Sequence, residues 1–173
     1  MKLISQQKAL ARLQKIKSNF KAQIAEDYEH RAKSCLTCET QGACCLDAHF
    51  VNVHISRLES VAIRQALDEL PDASRIYERI DATIAKYDLT DKHDTYSKTY
   101  ACPLFERGIG CLVHTTGKPL PCITHACYES AADLPPDELL SGQEKLVDAL
   151  DTYTYGRAQS WLPLPLAIRR EST

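Results

Sequence analysis

Eight cysteines stand out in a 173-residue chain whose composition, 44% hydrophobic and 25% charged, is otherwise that of an ordinary globular protein. They fall into two groups: Cys35, Cys38, Cys44 and Cys45 within 11 residues, then Cys102, Cys111, Cys122 and Cys127 within 26. Clustered thiols form disulfides, ligate a metal or act as a redox pair, and compartment bears on the choice. The start, Met1-Lys2-Leu3-Ile4-Ser5, runs straight into a charged amphipathic pattern, with neither an apolar signal core nor a small-residue cleavage site. A cytoplasmic location is therefore expected, where thiols stay reduced. Inert core cysteines are the blander alternative, since a lone buried thiol behaves as a small hydrophobe. Clustering weighs against that, and metal ligation leads.

Spacing refines the chemistry. Cys35-Leu36-Thr37-Cys38 has the two-residue gap that lets both thiolates of a turn reach one ion. A zinc ribbon needs a second such pair, and none follows. The adjacent pair Cys44-Cys45 is more informative. In extended backbone, neighbouring side chains point to opposite sides, so both thiolates seldom close on one tetrahedral ion. Two adjacent sites, a bridged cluster, or one ligand beside a bystander fit that geometry better. His114 and His125 each lie three residues after a cysteine and are candidate nitrogen ligands or hydrogen-bond donors to a thiolate. Cys35 and Cys38 as a redox dithiol would lack the usual strand–helix–strand setting. There is no Gly-x-Gly-x-x-Gly, P-loop, His-Glu-x-x-His, Gly-x-Ser-x-Gly or Cys-x3-Cys-x2-Cys motif. No catalytic residue is named, and enzymatic activity is left open.

The elements that must position these thiols are mostly helical. Leu3, Leu10, Leu13, Phe20, Ile24 and Tyr28 recur at helical spacing, which predicts one helix over residues 1–34. Its eight basic and three acidic residues make it cationic. The acidic stretch 129–151, opening at Pro135-Pro136-Asp137 and burying Leu139, Leu140, Leu146, Val147 and Leu150, is its expected internal counterpart. Phe50–Ile55 alternates and is β-branched, which predicts a strand. Ser56-Arg57-Leu58-Glu59 reads as a capping box opening a helix that stops before Pro71, and a second helix starts at Asp72 or Ser74. Gly108-Ile109-Gly110 reads as a tight turn. Gly117, Pro119 and Pro121 are expected to keep the chain out of helix before Cys122. The tail after Gly156 reads as a Pro-rich arm packed by Trp161 and its neighbouring leucines.

The cysteine pattern resembles the zinc- or iron-chelating CxxCxxCC family of bacterial cysteine-cluster proteins (YkgJ-like). The residues that carry the likeness are Cys35-x-x-Cys38, Gly42-Ala43-Cys44-Cys45, Cys102-Pro103-Leu104-Phe105, Gly110-Cys111-Leu112-Val113-His114 and Lys118-Pro119-Leu120-Pro121-Cys122. It covers residues 35–128. Three departures stand out. Five residues rather than two separate Cys38 from Cys44; His114 and Lys118 replace the family's Tyr and Arg, with one extra residue before Cys122; Cys127 lies beyond the core motif. The resemblance implies zinc or iron bound by the clustered cysteines. Larger relatives, the flagellin lysine methylases, pair this motif with an iron–sulfur centre, but their activity does not carry over.

The expected fold is mainly α with a small, irregular β/loop cysteine-rich metal centre (α+β). Residues 1–34 form an amphipathic helix, 35–128 the cysteine-cluster domain, and 129–173 a C-terminal helix and Pro-rich tail packing on that domain. The expected function is binding of zinc or an iron–sulfur cluster by Cys35, Cys38, Cys44, Cys45, Cys102, Cys111, Cys122 and Cys127. The alternatives are an iron–sulfur enzyme, redox or protein-modifying, and a module for a protein or nucleic-acid partner with a structural metal. A net charge of −2 gives no general attraction to nucleic acid. The longest uncharged apolar stretch, eight residues from Trp161 to Ile168, is too short to span a bilayer.

Overall fold

A computed structural model describes residues 3–33, 38–48, 51–92 and 94–170 of the chain. Helix makes up 57% and strand 7%, so the protein is mainly helical, with small antiparallel two-stranded ladders. No described helix is long and apolar enough to cross a membrane. The chain divides into two compact units, each discontinuous in sequence: 1–39 with 119–159, and 40–118 with 160–173.

In the first unit, helix α1 (Gln6–Asp27) begins where Ser5, held in extended backbone, accepts from the Lys8 N–H at 3.4 Å. Of the predicted stripe it buries Leu13, Phe20 and Ile24, joined by Ala9; Leu10 and Tyr28 are half-buried, and Leu3 precedes the helix and is exposed. The helix ends earlier than expected. Tyr28 leaves helical geometry at φ −132°, a 3-10 turn covers Glu29–Arg31, and Ala32–Lys33 form strand β1. These residues are drawn off by antiparallel pairing with a later strand, Cys127–Tyr128, with Lys33 opposite Cys127.

Helix α6 (Asp137–Tyr155) lies against α1, with Asp137 and Glu138 suiting the positive end of its dipole. It stops at Gly156, whose φ of 79° provides the left-handed cap and whose N–H reaches Thr152 O at 2.9 Å. Val147, Leu150 and Thr154 define its buried face. Leu146, expected in the core, falls about 100° from that face and is exposed. Between α1 and α6 in sequence sits the one-turn helix α5 (Leu120–Ile123), which packs on both. The prolines expected to prevent helix here instead start one. Pro119 caps it and Pro121 lies in the first turn, where no N–H is needed.

In the second unit, the capping box at helix α3 (Arg57–Asp68) forms as the sequence predicts. Ser56 Oγ accepts from Glu59 N–H at 3.2 Å, and the Glu59 carboxylate accepts from Ser56 N–H at 3.4 Å. Helix α4 (Ala73–Lys86) follows with Asp72 as its cap. The tail forms a different structure from the expected arm. Leu162–Pro163 make strand β6, and Leu164–Arg170 make helix α7, which packs on α3 and α4. Pro165 is tolerated because it, too, sits in a first turn. The core joins Ile55, Ile63, Leu67, Ile76, Ile80 and Ile168 with Leu104 and Val113.

The strand expected over Phe50–Ile55 shortens to β2 (His54–Ile55), paired with β6; Phe50 lies outside the described residues. The carbonyls before it are taken by other partners. Tyr100 N–H donates to Val51 O at 2.9 Å, and the Tyr100 hydroxyl donates to Val53 O. Strands β3 (Phe105–Glu106) and β4 (Gly110–Cys111) form the hairpin that the Gly-Ile-Gly turn predicts, with Gly108 and Gly110 at φ of 81° and 103°.

Candidate metal centre

Four of the cysteines belong to the second unit, where Cys44, Cys102 and Cys111 all act electrostatically on Cys45. Cys44 and Cys45 occupy α2 (Ala43–Leu46), a single helical turn nucleated by Gly42. Gly42 O accepts from the N–H groups of Cys45 and Leu46, both at 2.9 Å. A side chain is excluded at Gly42 twice over. Its φ is 82°, and an added Cβ would fall within the Phe105 ring. The turn revises the geometry expected of the adjacent pair. Neighbours on a helix diverge by about 100° rather than about 180°, and the Cys44 and Cys45 thiols lie within hydrogen-bonding reach of each other.

A backbone bond then fastens the second cysteine group to the first: Cys102 N–H donates to Cys45 O at 2.7 Å. Cys102 opens a turn through Pro103, while the β3–β4 hairpin sets Cys111 directly opposite Phe105. Leu112 N–H to Leu104 O, at 2.9 Å, extends that register. Cys102 and Cys111 both pack against the core that contains Ile76 and Ile80. Backbone N–H groups turn toward the sulfurs: Leu104 and Phe105 toward Cys102, and Val113 toward Cys111. Such donors favour a charged sulfur.

Burial dominates the thiol electrostatics. It pushes Cys45 up to about 12, helped by the neighbouring Cys44, Cys102 and Cys111, and it pushes Cys102 up to about 11. The Cys111 thiol is raised for the same leading reason. Two cations work in the opposite direction, Arg79 on Cys102 and Lys118 on Cys111. Burial outweighs both, so these thiols hold their protons at neutral pH.

The other candidates are placed differently. Cys38, Cys122 and Cys127 belong to the first unit, where Cys127 lies across the strand pair from Lys33. Cys35 lies outside the described residues. His114 donates its backbone N–H to Cys111 O at 3.1 Å; its side chain, like that of His125, is exposed. The seven described cysteines are thiols, each half-buried. Among the described residues, no group of three or more His, Cys, Asp or Glu side chains is arranged to hold a metal ion.

Arg79 is absent from the sequence reading. Its one legible signal is its place between Ile76 and Ile80, a cation on the edge of an apolar helical stripe. Tyr100 was also missed, hidden in a polar stretch. It is fully buried and bridges Val53 O and Leu164 N–H through its hydroxyl.

The site is thus a gathering of thiols in a mainly helical protein. No family model, curated protein or solved structure matches this chain.

Proposed function

We propose that this chain is a metal-binding protein in which Cys44, Cys45, Cys102 and Cys111 hold zinc or an iron–sulfur cluster. The observation that carries the reading is the backbone bond from Cys102 N–H to Cys45 O, which ties the second cysteine group to the first, with Cys44, Cys102 and Cys111 all acting electrostatically on Cys45. The donor set suits either group chemically: four soft sulfur ligands, backbone N–H donors aimed at two of them, and two cations nearby. The raised thiols argue against a redox or nucleophilic dithiol, which needs a lowered pKa and good access. A metal supplies the positive charge that displaces the protons, and its binding free energy then adds to folding.

The resemblance to the zinc- or iron-chelating cysteine-cluster family points to the same chemistry. Cytoplasmic residence fits it, because ligation requires reduced thiols. Anaerobic purification followed by elemental analysis and a visible spectrum tests the reading. Stoichiometric zinc in a colourless protein, or iron and acid-labile sulfide in a brown one, supports it and identifies the group. Protein isolated with its thiols blocked, metal-free and carrying four disulfides, would refute it.

A further inference from the structure

Helix α6 carries a second apolar stripe besides the one it buries. Leu139, Gly142, Leu146, Ala149, Tyr153 and the capping Gly156 recur at alternating steps of three and four residues. That spacing sets them in one line along the helix, about 100° round from the buried face of Val147, Leu150 and Thr154. Leu146 and Tyr153 are 52% and 48% exposed, Gly142 and Ala149 are exposed, and Leu139 is half-buried. The space over Gly142 is open, since a Cβ added there meets nothing within 4 Å. Leu3, itself exposed, borders Gly156 and widens the apolar surface; Ile4 N–H fixes it there by donating to Tyr153 O at 3.1 Å. Of the six charged residues of α6, only Glu138 and Lys145 flank the line. Asp137, Glu144, Asp148 and Asp151 lie on the opposite side of the helix.

The order of sizes along the line fits a second copy of the same helix. Large residues stand at 139, 146 and 153, and small ones at 142, 149 and 156. In a parallel pair like positions face each other, so leucine meets leucine while glycine faces glycine across a gap. In an antiparallel pair the large set faces the small set. Reversing α6 on itself about a point between Val147 and Asp148 sets Leu139 against Gly156 of the second copy. It also sets Gly142 against Tyr153 of the second copy and Leu146 against its Ala149, and two-fold symmetry repeats each contact. Every layer then holds one large and one small residue, the complementarity that a close-packed interface needs. The same reversal brings Glu138 level with Arg157 of the second copy, so opposite charges, both exposed in the single chain, close the two ends. We infer that α6 is a homodimerisation helix, docking antiparallel on α6 of a second copy through the line from Leu139 to Gly156. The inference stands apart from metal binding. One pair of helices gives an interface at the small end of the range, so the dimer is reversible and concentration-dependent.

The test is sedimentation velocity on the full-length chain, from low micromolar to near-millimolar concentration, with reductant present so that no thiol cross-links two copies. Wild type should pass from monomer to dimer across that range. Gly142→Gln is the discriminating variant. Its side chain enters open space in one copy but takes the place of Tyr153 from the other. It should weaken dimerisation by about tenfold or more, while the Tm of dilute protein holds or rises because glutamine suits a helix better than glycine. Leu146→Ala should weaken the dimer by leaving its layer unfilled. Glu138→Arg should weaken it as well, and adding Arg157→Glu should restore much of that loss. Wild type that stays monomeric throughout would overturn the inference and leave the face to a different protein. A dimer that Gly142→Gln does not weaken would also overturn it, because the contact would lie elsewhere. Equal weakening in the single and double charge variants would overturn the antiparallel register.

Discussion

The two units handle cysteine in opposite settings. In the second, Cys102 and Cys111 pack beside an apolar core, and burial is the largest influence on the thiols of Cys45, Cys102 and Cys111. In the first, Cys127 lies on a two-residue strand beside an exposed ion pair, Lys33 Nζ to Glu129 Oε1 at 2.9 Å. Apolar walls make a thiolate costly until a cation arrives, which favours metal over proton only when the ligands are already close. Water and an exposed lysine offer no such selectivity. The contrast favours the second unit as the seat of the proposed metal.

Serine substitution is the strongest way to break that assignment. Cys45→Ser and Cys102→Ser should each lose stoichiometric metal, because the remaining thiols cannot complete the set and a serine hydroxyl is a poor ligand for soft metals. Cys127→Ser should keep most of it. Elemental analysis of the three variants, purified side by side, reads this directly. Equal loss in Cys127→Ser would extend the site to the first unit and end the contrast.

Glycine substitution sharpens the comparison at lower amplitude. Gly42→Ala meets both an unfavourable φ and the Phe105 ring, so it should destabilise the protein by at least about 2 kcal/mol and reduce metal content, since α2 carries two of the proposed ligands. Gly156→Ala meets only the strain of φ 79°, with its nearest side-chain atom, on Leu3, at 3.7 Å. It should cost about 1 kcal/mol and leave metal content unchanged. Denaturant midpoints and metal assays on both variants test the pair. Metal loss in Gly156→Ala would show that the two units are coupled through the centre.

A smaller effect comes from His54, which sits 4% exposed against Tyr96, with ring centroids 4.0 Å apart, and has Nε2 2.9 Å from Thr95 Oγ1. Burial lowers its pKa from the ordinary 6.5, against the opposing pull of the Asn52 carbonyl and Asp94. The unfolded chain therefore takes up this proton first as pH falls. Its contribution is complete above about pH 6.5 and is lost as pH drops from there toward the folded value. Metal-free protein should lose a few degrees of Tm between pH 7 and 5 through this group. The loss should shrink in His54→Gln; an identical pH profile in that variant would assign the sensitivity elsewhere.

Local rules were legible where the signal and its partner lie close in sequence. The Ser56–Glu59 box, the start of α4 and the Gly108–Gly110 turn all depend on residues within a few positions. The same proximity explains the reach of the cysteine spacing, which singled out the thiols but not their partition between units. Misreadings arose where a distant partner decided. Residues 32–33 leave helix because Cys127–Tyr128 offer a ladder, and Leu146 is exposed because packing selects the Val147 face. Pro119 and Pro121 were read as helix breakers, yet each sits where a helix starts and no N–H is required; Pro165 occupies a first turn in the same way. Arg79 was illegible for a related reason. Only the folded chain shows that two of its N–H groups are enclosed without an acceptor.

The least effect should come from the ion pair that marks the first unit. Both side chains of Lys33–Glu129 are more than half exposed, at 71% and 63%, so water competes for each charge and salt screens what remains. The Lys33 pKa is raised, first by its hydrogen bond to Glu129 and then by the charge of that carboxylate, with Cys127 adding least. A raised lysine stabilises the fold at every pH below its ordinary value of 10.5 and gives way only above it. Lys33→Ala should therefore leave Tm and metal content at neutral pH unchanged within error. Thermal melts at low and high salt, paired with zinc titration, make the check. A clear loss of zinc affinity in Lys33→Ala would mean that the charge beside Cys127 supports a ligand, and that the first unit's cysteines take part in metal binding after all.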